Sequence, residues 1–144
     1  MQDLQIVQYE PMYFEQALNL DGRPSKRSAQ KLKMLELTDI FYHYLAIINE
    51  DVFGFIIMEN MGDKVSHYMV QKNVKEKRRG ISNALVWHVF HEIGLGGHIS
   101  LCVNTDNKGA IKFYEAMGFK RSGYTPNGIK RAKTNFGIKL IYYN

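Results

Sequence analysis

Short stretches of the chain alternate between apolar and polar residues or are rich in β-branched and aromatic residues, which is typical of β-strands. These stretches lie at 4–10, 42–48, 52–58, 65–70, 99–103 and 136–143, and a further strand begins at Phe119. Asn49-Glu50-Asp51 separates the second stretch from the third and has the composition of a tight turn. The pattern therefore predicts about seven strands, with a hairpin around residue 50.

Four other segments are predicted to be helices. They cover residues 13–20, 25–37, 81–93 and 107–117. The last segment carries an apolar stripe at helical spacing, formed by Ala110, Phe113, Tyr114 and Met117. Gly118 follows at the position where many helices end in a left-handed residue, so this helix has a predicted C-terminus as well as a predicted buried face.

The order of the predicted elements indicates the fold class. Helices that lie between strands late in the chain favour a mixed sheet with helices on both faces. We predict an α/β (α+β) fold, with a mostly antiparallel central sheet of about seven strands and about four flanking helices. The sequence contains no repeat, linker or low-complexity tract, and its 144 residues have the length of one domain. A single domain is therefore predicted over residues 1–144.

Composition excludes several classes of protein. Hydrophobic residues make up 45% of the chain and charged residues 23%, which excludes a disordered chain. No apolar run reaches the ~18 residues of a membrane span, and no secretory signal is recognisable, so a cytoplasmic location without membrane contact is expected. Cys102 is the single cysteine and is expected to be an inert thiol on a buried strand. No metal is predicted, because His88, His91 and His98 lack partners at ligand spacing.

The net charge of +5 is concentrated in two segments. Five of the eight residues 72–79 are basic, and residues 116–144 carry six basic residues and no acidic one. Cations directly before the helix predicted at 81–93 oppose its dipole, so their placement favours an anion bound on the free amides of that helix. Gly80 would allow the backbone to approach such an anion closely. A solvated basic turn is the alternative interpretation.

Two motifs resemble those of the GNAT superfamily of acyl-CoA-dependent N-acetyltransferases. The family carries (Q/R)-x-x-G-x-(G/A) at the start of its central helix. The corresponding segment of this chain keeps the glycine but departs at both ends: Lys77, Arg78, Arg79, Gly80, Ile81 and Ser82. Residues 101–119, LCVNTDNKGAIKFYEAMGF, are similar to the family's L-x-V-N-x-x-N-x-x-A-I-x-F-Y-x-x-x-G-F nearly residue for residue. The order of strands and helices also agrees with the family's fold.

The resemblance implies transfer of an acetyl group from acetyl-CoA to a primary amine by direct attack on the thioester. Tyr114 aligns with the tyrosine that protonates the departing thiolate, and the base is expected at Glu59 or His67. Structural alternatives stay open: a core residue for Tyr114, a structural histidine for His67 and a helix cap for Asn107. The implied cofactor contacts are the backbone of Met69 and Val70 and the side chain of Asn107. For the pyrophosphate they are the backbone amides of Arg78, Arg79, Gly80, Ile81 and Ser82, with the side chains of Lys77, Arg78 and Arg79 as added positive charge.

The amine acceptor, a small molecule or a macromolecule, is not identified by the sequence. By resemblance it meets the early helices and the loop at 123–135, where Lys130, Arg131 and Lys133 favour an anionic or nucleic-acid-linked amine. A catalytically degenerate acyl-CoA-binding protein is one alternative, because Lys77 and Ser82 depart from the motif. A basic nucleic-acid-binding module is another. Formation of a homodimer also stays open.

Overall fold

The computed structural model describes residues 3–21, 40–63, 65–75, 80–125 and 137–143. These residues contain the seven strands β1 (Leu4–Gln8), β2 (Phe41–Ile48), β3 (Asp51–Asn60), β4 (Ser66–Val74), β5 (His98–Asn104), β6 (Lys120–Thr125) and β7 (Gly137–Tyr143). They form one sheet in the order β1-β2-β3-β4-β5-β7-β6. Strands β4 and β5 pair in parallel, and the other neighbouring strands pair antiparallel. The predicted mixed, mostly antiparallel sheet is confirmed.

Three α-helices occur in the described residues: α1 (Phe14–Leu18), α2 (Ile81–Ile93) and α3 (Lys108–Met117). Short 3-10 turns at Pro11–Tyr13 and Asn19–Asp21 flank α1. The helix predicted over 13–20 is therefore a five-residue α-helix with a 3-10 turn on each side. The helix predicted over 25–37 lies outside the described residues, which leaves three helices where about four were predicted. None of the described helices is long and apolar enough to cross a membrane.

Two apolar clusters pack on opposite faces of the sheet. On one face, α2 contributes fully buried Leu85, Val86 and Val89, which pack with α3 and with strand residues such as Ile56. On the other face, α1 packs against β2 and β3 through Ala17, Leu45, Ile47, Phe55 and Ile57. Helices therefore cover both faces, as the sequence predicted. We call these the α2/α3 face and the α1 face.

The predicted hairpin joins β2 to β3 through a two-residue turn. Asn49 and Glu50 have positive φ angles of 51° and 69°, the left-handed conformation that tight hairpin turns of this length require. Asn adopts this conformation more readily than most residues, because its short polar side chain can bond to the local backbone. Asp51, predicted as part of the turn, is the first residue of β3.

A β-bulge interrupts the pairing of β3 with β4. Ile57 pairs with Gln71, whereas the next residue, Met58, pairs with Met69. Val70 is therefore the extra residue, and such an insertion bends the strand and increases its local twist. The β4 residues after Val70 therefore face the opposite side of the sheet from the one that strict alternation from Met69 would predict.

Strands β4 and β5 separate just before this bulge. Their parallel pairing ends at Tyr68 and Ser100, although β4 continues to Val74 and β5 to Asn104. A gap therefore opens inside the sheet, between the second halves of two neighbouring strands. The N-termini of α2 and α3 follow β4 and β5 along the chain, so both helices begin near this gap.

Gly54 in β3 allows α2 to approach the sheet closely. A Cβ at this position would lie 2.9 Å from Cγ2 of Ile81 and 3.1 Å from the backbone oxygen of Asn73. Ile81 is only 1% exposed and has little room to move. We expect Gly54→Ala to lower the free energy of unfolding by about 1–3 kcal/mol, measured by urea denaturation. Gly109→Ala is the control, because a Cβ there meets nothing within 4 Å, and equal stability of the two variants would contradict the close-packing argument.

Candidate active site

A cavity of about 910 Å³ lies at the gap between β4 and β5. Cavities that hold small molecules measure roughly 300–1,000 Å³, so this one is large enough for a sizeable ligand. Its lining includes residues 72–74 of β4, residues 80–83 at the start of α2, Val103 of β5, and Phe113 and Tyr114 of α3. The lining of the cavity therefore includes a helix N-terminus and two aromatic side chains.

The N-terminus of α2 borders the cavity with free backbone amides. Gly80 precedes the helix with φ of +74°, a left-handed conformation that favours glycine, and its carbonyl accepts the N–H of Ala84 at 3.0 Å. Among the described residues no side chain caps this terminus, and the first turn has no acidic residue. Gly80, Ile81 and Ser82 all line the cavity, so the terminus is suited to an anion. Lys77, Arg78 and Arg79, predicted to assist, lie outside the described residues.

Asn107 caps the second helix that borders the cavity. Its side-chain oxygen accepts the N–H of Ala110 at 3.2 Å, so the capping role weighed from the sequence is confirmed. Asn107 also lines the cavity. A contact with a cofactor stays a prediction, and it is compatible with the cap.

Tyr114 belongs both to the core and to the cavity lining. The residue is 6% exposed, and its ring packs edge-on against Phe113 and Phe119 with centroids 5.0 and 5.3 Å away. Its hydroxyl donates a hydrogen bond to Sδ of Met69 at 3.4 Å. Burial raises the pKa of the Tyr114 phenol above its ordinary value, so the group keeps its proton at neutral pH.

Met69 and Val70 lie where β4 leaves β5. Met69 directly follows Tyr68, the last β4 residue paired with β5, and its side chain is buried on the α2/α3 face. Val70 is the bulge residue and packs on the α1 face. The backbone of these two residues is therefore at the point where the gap begins, and its pairing with a cofactor stays a prediction.

Glu59 has two neighbours that the sequence analysis missed. It lies opposite Tyr68 in the pairing of β3 with β4, and the side chain of Tyr68 hydrogen-bonds with Cys102 of β5. Burial, Cys102 and the negative charge of Glu59 together raise the pKa of Tyr68 to about 12. Strand alternation places these three residues on the α1 face, opposite Tyr114. Cys102, expected to be an inert thiol on a buried strand, is half-buried.

His67 is buried in the core, where it contacts Tyr42. It is 7% exposed on the α2/α3 face, and its Nδ1 forms a 2.7 Å hydrogen bond with the hydroxyl of Tyr42. The two rings pack edge-on, with centroids 5.6 Å apart. Within the described part of the chain, neither His67 nor Glu59 is among the residues that line the cavity. These contacts favour the structural alternative for His67.

Lys72 is a cavity residue for which the sequence analysis predicted no role of its own. Its Nζ lies 4.2 Å from the ring centroid of Phe113 and 4.6 Å from that of Tyr114. Burial lowers the pKa of Lys72 to about 8, and the ring faces oppose this shift because they attract the ammonium form. The β4 bulge is what places this side chain on the α2/α3 face, and residue spacing alone does not reveal it.

The remaining histidines considered as metal ligands have other neighbours. His88 lies 3.6 Å from Glu92 on the same helix and packs edge-on to Tyr44. His98 packs against Tyr143, with ring centroids 5.3 Å apart. Across the described ranges, no group of three or more His, Cys, Asp or Glu side chains is arranged to hold a metal ion.

Comparison with known families identifies the chain. Residues 25–131 match the model of a family described as an acetyltransferase (GNAT) domain, which covers most of the sequence. The chain belongs to the GNAT acetyltransferase family. The resemblance carried by the two sequence motifs is therefore confirmed. No curated protein matches the chain by sequence.

Solved structures confirm the GNAT fold. The ribosomal-protein-S18-alanine N-acetyltransferase of Escherichia coli superposes with a TM-score of 0.80 at 19% identity, over 96% of this chain and 92% of that one. An aminoglycoside 6'-acetyltransferase type Ii gives 0.78 at 19% identity over 96% of both chains. The spermidine/spermine N-acetyltransferase of Vibrio cholerae gives 0.77 at 14% identity over 96% and 91%. Identities this low show the shared GNAT fold and not a shared acceptor.

Proposed function

We propose that this protein is an N-acetyltransferase that moves an acetyl group from acetyl-CoA to a primary amine. The observation that carries the proposal is the gap between β4 and β5, which has a protonated, buried Tyr114 on one face of the sheet and Glu59 on the other. A direct transfer needs an acid for the leaving sulfur and a base for the attacking amine. Tyr114 lines the cavity at the gap, and Glu59 lies on the other face of the sheet beside Tyr68, the last β4 residue paired with β5, so the two could supply these groups.

The residues around the cavity fit acetyl-CoA. The free amides at Gly80, Ile81 and Ser82 suit its pyrophosphate, with the side chains of Lys77, Arg78 and Arg79 as added positive charge. The backbone of Met69 and Val70, just beyond the last β4 residue paired with β5, would bind the pantetheine arm in the gap. Asn107 lines the cavity and would contact the cofactor there. When bound, acetyl-CoA supplies the acetyl group as a reactive thioester.

Tyr114 is the proposed acid. Its hydroxyl is held by Sδ of Met69, so it has a defined direction before any substrate binds. Because burial keeps the phenol protonated, it can donate its proton to the sulfur as the bond to the acetyl group breaks. Edge-on contacts with Phe113 and Phe119 hold the ring in place.

Glu59 is the proposed base, acting directly or through water. It lies on the α1 face beside Tyr68, at the last β4 residue before the gap, where an amine could approach the thioester from the side opposite Tyr114. His67 is the second candidate, although its ring is buried against Tyr42. Tyr68 stays protonated at neutral pH, because its pKa is raised to about 12. Its hydroxyl could form a hydrogen-bonded bridge between the amine and Glu59.

Glu59→Gln tests the base. We expect kcat/KM to fall at least about tenfold and its dependence on pH to change, because the amide cannot accept a proton. Glu115→Gln is the matched control, since Glu115 is exposed on α3 and pairs with Arg121 at 3.3 Å. A change of the pH–rate profile in His67→Gln instead would move the role to His67. An unchanged profile in the double variant would exclude both residues.

Titration calorimetry with acetyl-CoA, followed by a thiol-release assay with a panel of amines, tests the function as a whole. Binding and turnover with at least one amine support the proposal. The clustered positive charge of residues 116–144 leads us to expect that phosphate- or carboxylate-bearing amines react faster than polycationic ones. Binding without turnover would indicate a degenerate acyl-CoA-binding protein. Absence of binding would overturn the proposal and leave a nucleic-acid-binding module as the next hypothesis.

A further inference from the structure

The bulge at Val70 directs Lys72 into the cavity. Lys72 pairs with Ile56, which is fully buried on the α2/α3 face, whereas Gln71 pairs with Ile57 on the α1 face. If β4 continued from Met69 without the extra residue, Lys72 would face the α1 side. A charged side chain is thus placed on an apolar face of the sheet by a one-residue insertion.

The ε-amine of Lys72 lies close to the proposed acid. Its Nζ is 4.6 Å from the ring centroid of Tyr114, and Tyr114 in turn contacts Met69 at the beginning of the gap. A lysine side chain has a flexible four-carbon stem, so the amine can move along the cavity that Lys72 lines. The amine is therefore within reach of a thioester positioned for protonation by Tyr114.

We propose that Lys72 is itself an acetyl acceptor and becomes Nε-acetyl-lysine inside the cavity. This inference rests on the proposed function, because it requires acetyl-CoA as the donor. A bond forms between Nζ and the acetyl carbonyl carbon while the carbon–sulfur bond breaks, and coenzyme A leaves as the free thiol. The proton lost from the nitrogen balances the proton gained by the sulfur. Tyr114 donates its proton to the sulfur, and solvent carries the proton from the nitrogen back to Tyr114.

The environment of Lys72 favours this reaction. With a pKa of about 8, about half of the side chain is free amine at pH 8, against about 0.3% for a lysine with the ordinary value of 10.5. Only the free amine has the electron pair that attacks a thioester. Acetylation replaces the buried ammonium with a neutral amide, which removes the cost of desolvating the charge, although the contact of the ammonium with the faces of Phe113 and Tyr114 is lost.

Mass spectrometry of the 144-residue protein tests the inference. The protein is incubated with acetyl-CoA and no added amine at pH 8, then cleaved after glutamate, so that one peptide, residues 60–76, contains Lys64, Lys72 and Lys75. We expect Lys72 to be acetylated about tenfold faster than exposed Lys75. The rate at Lys72 should saturate with acetyl-CoA and fall when excess coenzyme A competes.

Matched variants and calorimetry separate the outcomes. Lys75→Arg should leave the modification of Lys72 unchanged, and Lys72→Arg should remove it. If calorimetry shows that acetyl-CoA binds but Lys72 reacts no faster than Lys75, self-acetylation is overturned and the proposed function stands. If acetyl-CoA does not bind, both are overturned. The competition with coenzyme A uses the unchanged protein, so the result does not depend on the folding of a variant.

Discussion

Replacement of Tyr114 by phenylalanine should lower kcat at least about 100-fold while the dissociation constant for acetyl-CoA changes by less than about threefold. The substitution removes the hydroxyl and its bond to Met69 but keeps the ring that packs between Phe113 and Phe119. The cavity therefore keeps its shape, and the loss falls on proton donation to the leaving sulfur. Single-turnover kinetics measure the chemical step, and calorimetry measures the binding of acetyl-CoA.

Tyr142→Phe is the matched control for this experiment. Tyr142 is half-buried and stacks on Phe90 with ring centroids 4.3 Å apart, and it is not among the described residues that line the cavity. We expect its kcat to equal that of the unchanged protein. Full turnover by Tyr114→Phe would show that another group protonates the sulfur. Thermal denaturation of both variants detects any loss that comes from folding instead of chemistry.

The second large effect concerns stability in acid and comes from His43. This residue is 3% exposed on the α1 face, between the rings of Tyr9 and Phe55 at centroid distances of 4.6 and 5.4 Å. Within the described part of the chain, neither ring nitrogen has a hydrogen-bond partner. Burial lowers the pKa of His43 from 6.5 to about 3, because a charged imidazole cannot be solvated there.

This depressed pKa makes the folded state sensitive to acid. The unfolded chain takes up a proton on His43 below about pH 6.5, while the folded chain does so only near pH 3. The contribution is fully present above pH 6.5 and is lost as the pH falls, by about 1.4 kcal/mol for each unit. Urea denaturation should therefore show a loss of roughly 2.5 kcal/mol from this residue between pH 6 and pH 4.

His43→Leu should remove that loss and raise stability at neutral pH. Leucine has a similar volume and no polar atoms, so the variant gains about 1–3 kcal/mol at pH 7 by removing two nitrogens that lack partners. His91→Gln, on the exposed end of α2, should keep the acid sensitivity of the unchanged protein. If His43→Leu loses stability in acid as steeply as the unchanged protein, the sensitive group lies elsewhere.

The elements with local signals were predicted closely from the sequence. The helix predicted over 81–93 is α2, which begins after Gly80 and ends before Gly94, both at positive φ. The helix predicted over 107–117 is α3 with Asn107 as its cap, and Gly118 follows in the left-handed conformation. Caps and left-handed glycines act within one turn of the chain, so they can be recognised without the rest of the molecule.

The features that depend on strand pairing could not be predicted. The extra residue at Val70 is defined only against β3, and the side that Lys72 faces follows from it. The cluster of Glu59, Tyr68 and Cys102 combines three strands whose register is set by distant contacts. Hydrophobic periodicity fixes which residues favour a strand, but an insertion of one residue reverses every later side chain. The candidate site residues of the family motif could be recognised from the sequence, whereas the side chains that surround them in the folded protein could not.

The short parallel contact between β4 and β5 leaves two halves of the sheet with little strand pairing between them. Strands β1 to β4 are joined by extensive antiparallel pairing, as are β5, β7 and β6, but in the described ranges the strand pairing between the two halves consists of the three residue pairs that end at Tyr68 and Ser100. A molecule bound in the gap would touch both halves and lengthen their contact. Its binding energy would then oppose separation of the halves, so a ligand held in the gap would also complete the sheet.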